Sequence, residues 1–325
     1  MTKRLMIIDS LNNFIRNYIV DPSISTHGKP IGGLKGYIKS LQKLVREVKP
    51  SCIVICHDGP GGSRKKKTII KTYKDGRKPI RLNRDIKNLT EDQEIQNKVW
   101  QQLKVMEYLN CMPTIQFLEK EIEADDLIAV VCNHEYFKDW DKVIVSSDKD
   151  FIQLCNNNTV LFRPIQNEVL TTKKILEEFG IHPNNFAVAR AIAGDPSDNI
   201  DGVKGVGLKT ISNKMTFLAE EKEYLTGEII DFCKKQVEDG SKLKIFQSII
   251  DEADTIHTNF SVMQLKSPNM SYQVLKKIDY TLQNYNPELN LTEIRKMMIE
   301  DGFGEVKFDE LYAALKKIIA DHKGL

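Results

Sequence analysis

Apolar and polar positions divide this chain into short, almost wholly apolar runs and longer stretches with helical spacing. Arg4-Leu-Met-Ile-Ile-Asp9 is an apolar run closed by an acid and predicts a short buried strand. Residues 33–48 carry Leu34, Tyr37, Ile38, Leu41, Leu44, Val45 and Val48 at helical spacing, with Pro50 beyond the end. A second strand, 51–58, also closes on an acid, Asp58, and 139–148 supplies a third that closes on Asp148. Between them, 92–109 reads as an amphipathic helix with Ile95, Val99, Trp100, Leu103, Met106 and Leu109 on its apolar face. Helices are also expected at 173–180 and 184–193, through most of the chain from 212 onward, and last at about 308–320. Apolar strands separated by helices argue for an α/β architecture with a mostly parallel central sheet flanked by helices. The chain divides into an α/β core, 1–185, with a basic insertion at about 60–110, and a helical region, 186–325.

Composition changes this picture little. The chain has 325 residues, is 41% hydrophobic and 28% charged, and so can bury a sizeable core. The six cysteines form no CxxC pair and several lie in apolar runs, so they read as reduced core residues rather than a disulfide framework or zinc site. Asp9 interrupts the short apolar start, which argues against a signal peptide, and no apolar run is long enough to span a membrane. The expectation is a cytoplasmic protein.

The net charge of +2 hides the feature that matters, which is alternating acidic and basic clusters. Asp9, Asp58 and Asp148 each close a strand, and sites in open α/β sheets lie beyond the carboxyl ends of strands. Glu123, Asp125 and Asp126 stand at the mouth of a helix, and Asp150 follows Asp148. One strand-terminal Asp is commonly a turn former or cap. Acids gathered at matched positions repel unless solvated or bridged by a hard cation, whose ligands are oxygens. The basic insertion holds Arg64, Lys65, Lys66, Lys67, Lys71, Lys74, Arg77, Lys78, Arg81 and Arg84. It is either a solvated mobile surface or a guide that brings an anionic polymer to the acids. Tyr73 within it either stacks a base or packs as an ordinary ring. Further on, Gly194-Asp-Pro-Ser-Asp-Asn-Ile-Asp201 is an acidic loop, and Gly202, Lys204, Gly205, Gly207 and Lys209 form a glycine-rich basic hairpin. Its spacing matches neither GxxxxGK[ST] nor GxGxxG, so a hairpin gripping a nucleic-acid backbone fits better than a nucleotide loop. A plain structural turn is the alternative.

These motifs, in this order, resemble the 5′-nuclease family: flap endonucleases, the 5′-nuclease domains of bacterial DNA polymerases, and bacteriophage 5′→3′ exonucleases and ribonucleases H. The resemblance covers about residues 4–212, and the C-terminal hundred residues look loosely like the phage members. Leu5-Met-Ile-Ile-Asp9, Asp58, Tyr73-Lys-Asp-Gly-Arg77, Glu123-Ala-Asp-Asp126, Ser147-Asp-Lys-Asp150 and Gly194-Asp-Pro-Ser-Asp-Asn199 with Gly202–Gly207 carry it. Ser10, Gly76 and Ile211 depart from the usual glycine, asparagine and small residue, and none of these removes an acid.

The resemblance implies a PIN-like core, an arch, a helix-hairpin-helix at about 186–222, and two Mg²⁺ ions, for which Mn²⁺ can substitute. Asp9, Asp58, Glu123, Asp125 and Asp126 would serve one ion; Asp148, Asp150, Asp195 and Asp198 the other. Lys74 and Arg77 would face the scissile phosphate, and the hairpin would hold duplex DNA, with a K⁺ ion on its carbonyls as in relatives. The implied activity is 5′→3′ exonuclease and 5′-flap endonuclease action with ribonuclease H-like removal of RNA primers in replication. DNA, RNA-DNA duplexes and 5′ flaps would be the substrates, a single-strand-binding protein or clamp a partner, and the chain a monomer. Three readings compete with this one. An aspartyl-phosphate enzyme would want a second Asp at Leu11, a scaffold would have lost its acids, and a simpler small-RNA endonuclease would lack the insertion and the hairpin.

Overall fold

The computed structural model describes residues 2–75, 83–304 and 308–323. Strand β1 (Arg4–Asp9) runs directly into α1 (Ser10–Val20), followed by α2 (Gly32–Val48) and β2 (Cys52–His57). A short α3 (Arg64–Ile69) opens the basic insertion, and α4 (Glu91–Asn110) closes it. Then come β3 (Ile115–Leu118), α5 (Ala124–Cys132), β4 (Asp141–Val145), β5 (Thr159–Arg163), β6 (Glu168–Leu170), α6 (Thr172–Phe179) and α7 (Phe186–Ala193). The remainder is helical: α8 (Leu208–Lys214), α9 (Thr226–Glu238), α10 (Lys244–Asp251), α11 (Ala253–Met263), α12 (Tyr272–Gln283), α13 (Leu291–Glu300) and α14 (Asp309–Lys323).

The strands form one sheet in the order β3-β2-β1-β4-β5-β6, parallel except for the β5–β6 pair at one edge. The expected α/β architecture with a mostly parallel sheet is therefore the architecture found. Alternate side chains point to opposite faces. Leu5, Ile7, Val54 and Cys56 enter one core with α5, α7, α9 and α11, whereas Met6, Ile8, Ile53 and Ile55 enter another with α1, α2, α4 and α14. Burial on both faces explains why the strands read as continuous apolar runs. The core that holds Leu5 and Ile7 also contains Phe186, Ile229, Ile256 and Leu282, so the sheet and the C-terminal helices share one interior.

Strand order places the site. β2 and β3 extend to one side of β1, and β4 and β5 to the other, so the order reverses between β1 and β4, where a crevice opens at the carboxyl ends. Register brings Asp9 opposite Cys56 and Ile8 opposite Val145, which levels the acids that follow.

Helix α4 departs from its pattern. The expected apolar face leaves Val99 46% and Leu103 56% exposed, and the helix buries Glu94 and Gln101 instead. A polar network turns it. The Glu94 carboxylate accepts from Tyr18 Oη at 3.0 Å and from the Asn83 N–H at 2.5 Å. Gln101 accepts the Leu34 N–H at 2.9 Å and donates to the Pro30 carbonyl at 2.9 Å. Gln101→Ala should cost about 2 kcal/mol, because the Leu34 N–H loses its partner in a dry environment and the Pro30 carbonyl keeps only Asn97, whereas Leu103→Ala should change stability by under about 0.5 kcal/mol. Urea unfolding of the two variants separates these outcomes, and equal effects would contradict the network.

Five cysteines are buried, Cys111 is half-buried, and none is paired in a disulfide. No described helix is long and apolar enough to cross a membrane.

Candidate active site

The acids are carried to the crevice by the end of β1, the end of β2, the start of α5, one short turn and the loop after α7. Asp9 ends β1 and caps α1, accepting the Asn12 N–H at 3.1 Å through one oxygen and Ser146 Oγ at 2.9 Å through the other. Asp58, just past β2, accepts the Ala124 N–H at 3.0 Å and so caps α5. That helix start presents Glu123, Asp125 and Asp126. Asp148 caps a short 3₁₀ turn, Lys149–Leu154, by accepting the Asp150 N–H at 2.9 Å. Asp195 and Asp198 lie in the loop after α7, closed by a bridge between Asp195 and Ile200.

Burial and mutual repulsion shape the electrostatics. Burial, with the charges of Asp58 and Asp148 adding, raises the Asp9 carboxyl to about 7 against the pull of its hydrogen bonds. Asp150 is raised to about 7 by burial and Asp148, with Arg190 opposing. Asp125 and Asp126 are raised mainly by burial. Glu123 goes the other way: although burial favours its neutral form, Lys66 and Lys74 hold it down at about 2. Lys66 Nζ lies 2.7 Å and Lys74 Nζ 2.5 Å from its oxygens, and Tyr73 Oη donates at 3.1 Å. Arg190 stands between the other two acids, with Nη2 at 3.0 Å from Asp150 and 2.5 Å from Asp195; with the Ser197 hydrogen bonds it holds Asp195 below its usual value against burial, whereas Asp150 stays raised.

Among the described residues no three of these acids converge closely enough to form a ready cage for one ion. Lys66, Lys74 and Arg190 stand between them instead. The donor set is entirely carboxylate oxygen, and burial and like charge disfavour the ionised forms of Asp9, Asp125, Asp126 and Asp150. Both properties suit hard divalent cations.

The basic insertion begins as structure, not as a free tail. Helix α3 and the turn after it fold onto the acids. Arg64 pairs with Glu121 at 2.7 Å, Lys65 donates to the Asn269 carbonyl at 3.2 Å, Lys66 also lies 3.6 Å from Asp126, and Lys67 pairs with Asp75 at 2.6 Å. Lys71 is exposed. Tyr73 is 3% exposed, packed with Ile200, Val262 and Met263, so in this arrangement its ring packs and offers no face to a base. Lys74 adopts φ +58° and donates its N–H to the Asp198 carbonyl at 2.7 Å, which ties the insertion to the acidic loop. Arg77, Lys78 and Arg81 lie outside the described residues.

In the hairpin, Val203 and Val206 are buried while Lys204, Gly205, Gly207 and Lys209 are exposed. Gly205 has φ +77°, and a Cβ added at Gly205 or Gly207 would meet nothing within 4 Å. Gly202 is different. Its Cβ would fall 2.2 Å from the Ala193 carbonyl carbon, so this glycine serves packing against α7 and not approach to a ligand.

Sequence reading missed Arg190, Ser146 and Asn12. Ser146 Oγ touches Asp9 and also accepts the Asp148 N–H at 3.1 Å, and Asn12 accepts the Ser147 N–H at 3.2 Å. The available signal was Arg190's place on the last turn of the helix that leads into the Asp195 loop.

Comparison with known proteins bears on the family and the fold. Residues 4–180 match the model of the 5′-3′ exonuclease, N-terminal resolvase-like domain. A 5′-3′ exonuclease of Aquifex aeolicus is 29% identical over 217 residues, 65% of this chain and 68% of that protein. The flap endonuclease Xni of Shewanella woodyi is 27% identical over 269 residues, 81% of this chain and 98% of that protein. The T5 D15 protein, co-crystallised with metal ions, shares the fold with a TM-score of 0.66 at 19% identity, over 87% of this chain and 99% of that one.

Proposed function

The chain belongs to the 5′-3′ exonuclease family, and on that premise we propose that it is a Mg²⁺-dependent, structure-specific 5′ nuclease that removes RNA primers and 5′ flaps in DNA replication. It is a nuclease of the 5′-3′ exonuclease and flap endonuclease kind. The observation that supports metal dependence is the gathering of Asp9, Asp58 and Asp148 at the switch point of the sheet, where burial and like charge disfavour ionised Asp9; the substrate rests on the family.

Asp9, Asp58, Glu123, Asp125 and Asp126 would hold one divalent ion, and Asp148, Asp150, Asp195 and Asp198 a second. Bound there, the ions supply positive charge against the scissile phosphate and acidify water near neutral pH. The protein does the rest. Ser146 and Asn12 hold Asp9 and the start of the Asp148 turn in place. Arg190 keeps Asp150 and Asp195 together despite their like charge. Lys74, with Arg77, balances charge building on the phosphate. Exposed Lys204 and Lys209 beside Gly205 and Gly207 hold a duplex backbone without reading bases. On this reading residues 1–185 carry most of the chemistry, and 186–325 add Arg190, Asp195 and Asp198 to it and hold the duplex.

The test is a duplex with a labelled 5′ RNA-DNA strand, offered blunt, nicked and 5′-flapped. With Mg²⁺, short 5′ products should appear from at least the flapped form, and chelator should remove them. Binding without cleavage of any form would leave a DNA-binding scaffold and end the nuclease reading.

A further inference from the structure

Helix α12 carries two large rings that the core does not use. Tyr272 is 77% and Tyr280 68% exposed, while Ile278 and Leu282 on the other face are buried. Tyr272, Lys276 and Tyr280 recur every four residues and so share one stripe, with the rings about 12 Å apart along the axis.

The helix starts at the edge of the acid site. Lys65 donates to the Asn269 carbonyl at 3.2 Å, three residues before Tyr272. Lys277 Nζ lies 2.6 Å from Glu119, and the Glu119 carbonyl presses on Gly59, the residue after Asp58. At its far end Asp279 lies 3.4 Å from His134, beyond the last turn of α5. Since α5 begins at the acids, α12 leads from their rim outward alongside it. The acids on this path are already paired, Glu119 with Lys277 and Glu121 with Arg64. Among the described residues the exposed Lys65 and Lys276 have no carboxylate partner. Rings interleaved with unneutralised ammonium groups, on a path continuous with a phosphodiesterase site, suit unpaired nucleic acid. Bases stack on aromatic faces whatever their sequence, and lysines follow the backbone.

We propose that Tyr272, Lys276 and Tyr280 form a stacking platform for the unpaired 5′ strand of the substrate as it leaves the site. The proposal rests on the nuclease reading above and adds a binding surface to it. Its role is distinct from that of the hairpin at 202–209, which faces paired DNA.

The test is equilibrium binding by fluorescence anisotropy, in chelator so that nothing is cut. The ligands are a nicked duplex and the same duplex with an oligothymidine 5′ flap. The Tyr272→Ala, Tyr280→Ala double variant should bind the flapped duplex about tenfold or more weakly, as loss of stacked bases requires, and bind the nicked duplex as the parent does. The double Phe variant, which keeps both rings, should bind like the parent. Both tyrosines are exposed, so their removal leaves no cavity, and thermal unfolding should confirm an unchanged midpoint. Unchanged flap affinity, equal loss on both ligands, or a flap that adds nothing to parent binding would overturn the platform and leave the nuclease reading standing. A parent that bound neither ligand would count against that reading itself. A dimer dispersed by the double substitution would show that a second copy of the chain, not DNA, covers this face.

Discussion

Replacing Asp148 and Asp150 together by Asn is expected to lower cleavage of a flapped duplex by at least about 10³-fold while duplex binding stays within a few-fold of the parent. Two carboxylates of one proposed ion site are lost, and the charge such an ion places on the phosphate is worth several kcal/mol, each 1.4 kcal/mol being a factor of ten. Folding should not suffer. The amide of Asp148→Asn would keep the oxygen that accepts the residue-150 N–H, and neutralising residue 150 relieves the burial and like-charge repulsion that raise Asp150 to about 7. The metal-free variant should therefore melt no lower than the parent. A second readout is independent of turnover: Mg²⁺ should raise the parent's melting temperature, and the variant's rise should be smaller, because a cation stabilises only the state that binds it. Single-turnover cleavage within tenfold of the parent would remove these two acids from the ion site.

Gly202→Ala, just after the acidic loop, should be strongly damaging for a single added methyl. Its Cβ would lie 2.2 Å from the Ala193 carbonyl carbon and 2.4 Å from the Gly194 nitrogen. Both are backbone atoms of the turn leaving α7, so no side chain can rotate away. Gly194 is equally constrained, with φ +75° and a Cβ position 2.3 Å from the Gly202 nitrogen. The two glycines let the chain cross itself, and Asp195 and Asp198 sit on the loop between them. Alanine at 202 should cost about 3 kcal/mol or more through overpacking and should move the acids as well, so both urea stability and cleavage fall. Gly207→Ala is the control, since nothing lies within 4 Å of its Cβ and its φ is an ordinary −103°. Its stability should stay within about 0.5 kcal/mol of the parent. If Gly202→Ala unfolds at the parent's urea concentration, the two backbone segments do not pass this closely in solution.

Much of the frame is local and could be read from the sequence. An apolar run closed by Asp needs no distant partner to be a buried strand ending at a sheet's edge; β1 and β2 follow that pattern, whereas β4 stops at Val145 and Asp148 caps the turn beyond it. Short elements gave weaker signals: β3 has four residues and β6 three, too few for a period to show. The face of α4 was misread for another reason. Its apolar residues define one stripe, but Glu94 and Gln101 bond to Tyr18, Asn83, Pro30 and Leu34, and a satisfied buried polar network outweighed the exposure of Val99 and Leu103.

The site divides along the same line. Asp9, Asp58, Glu123, Asp125, Asp126 and Asp148 are where strand ends and one helix start put them, because the parallel sheet levels its carboxyl ends. The sequence by itself therefore determined three strands of the sheet, the acids beyond their ends and the family. Only the tertiary structure decided what stands between the acids. Lys66 reaches Glu123 from an insertion that reads as a mobile run, Tyr73 packs inward, and Arg190 spans Asp150 and Asp195 from a helix 40 residues beyond Asp150. A side chain's partner is set by which segments fold against it, and that is a property of the packed chain rather than of its neighbours in sequence.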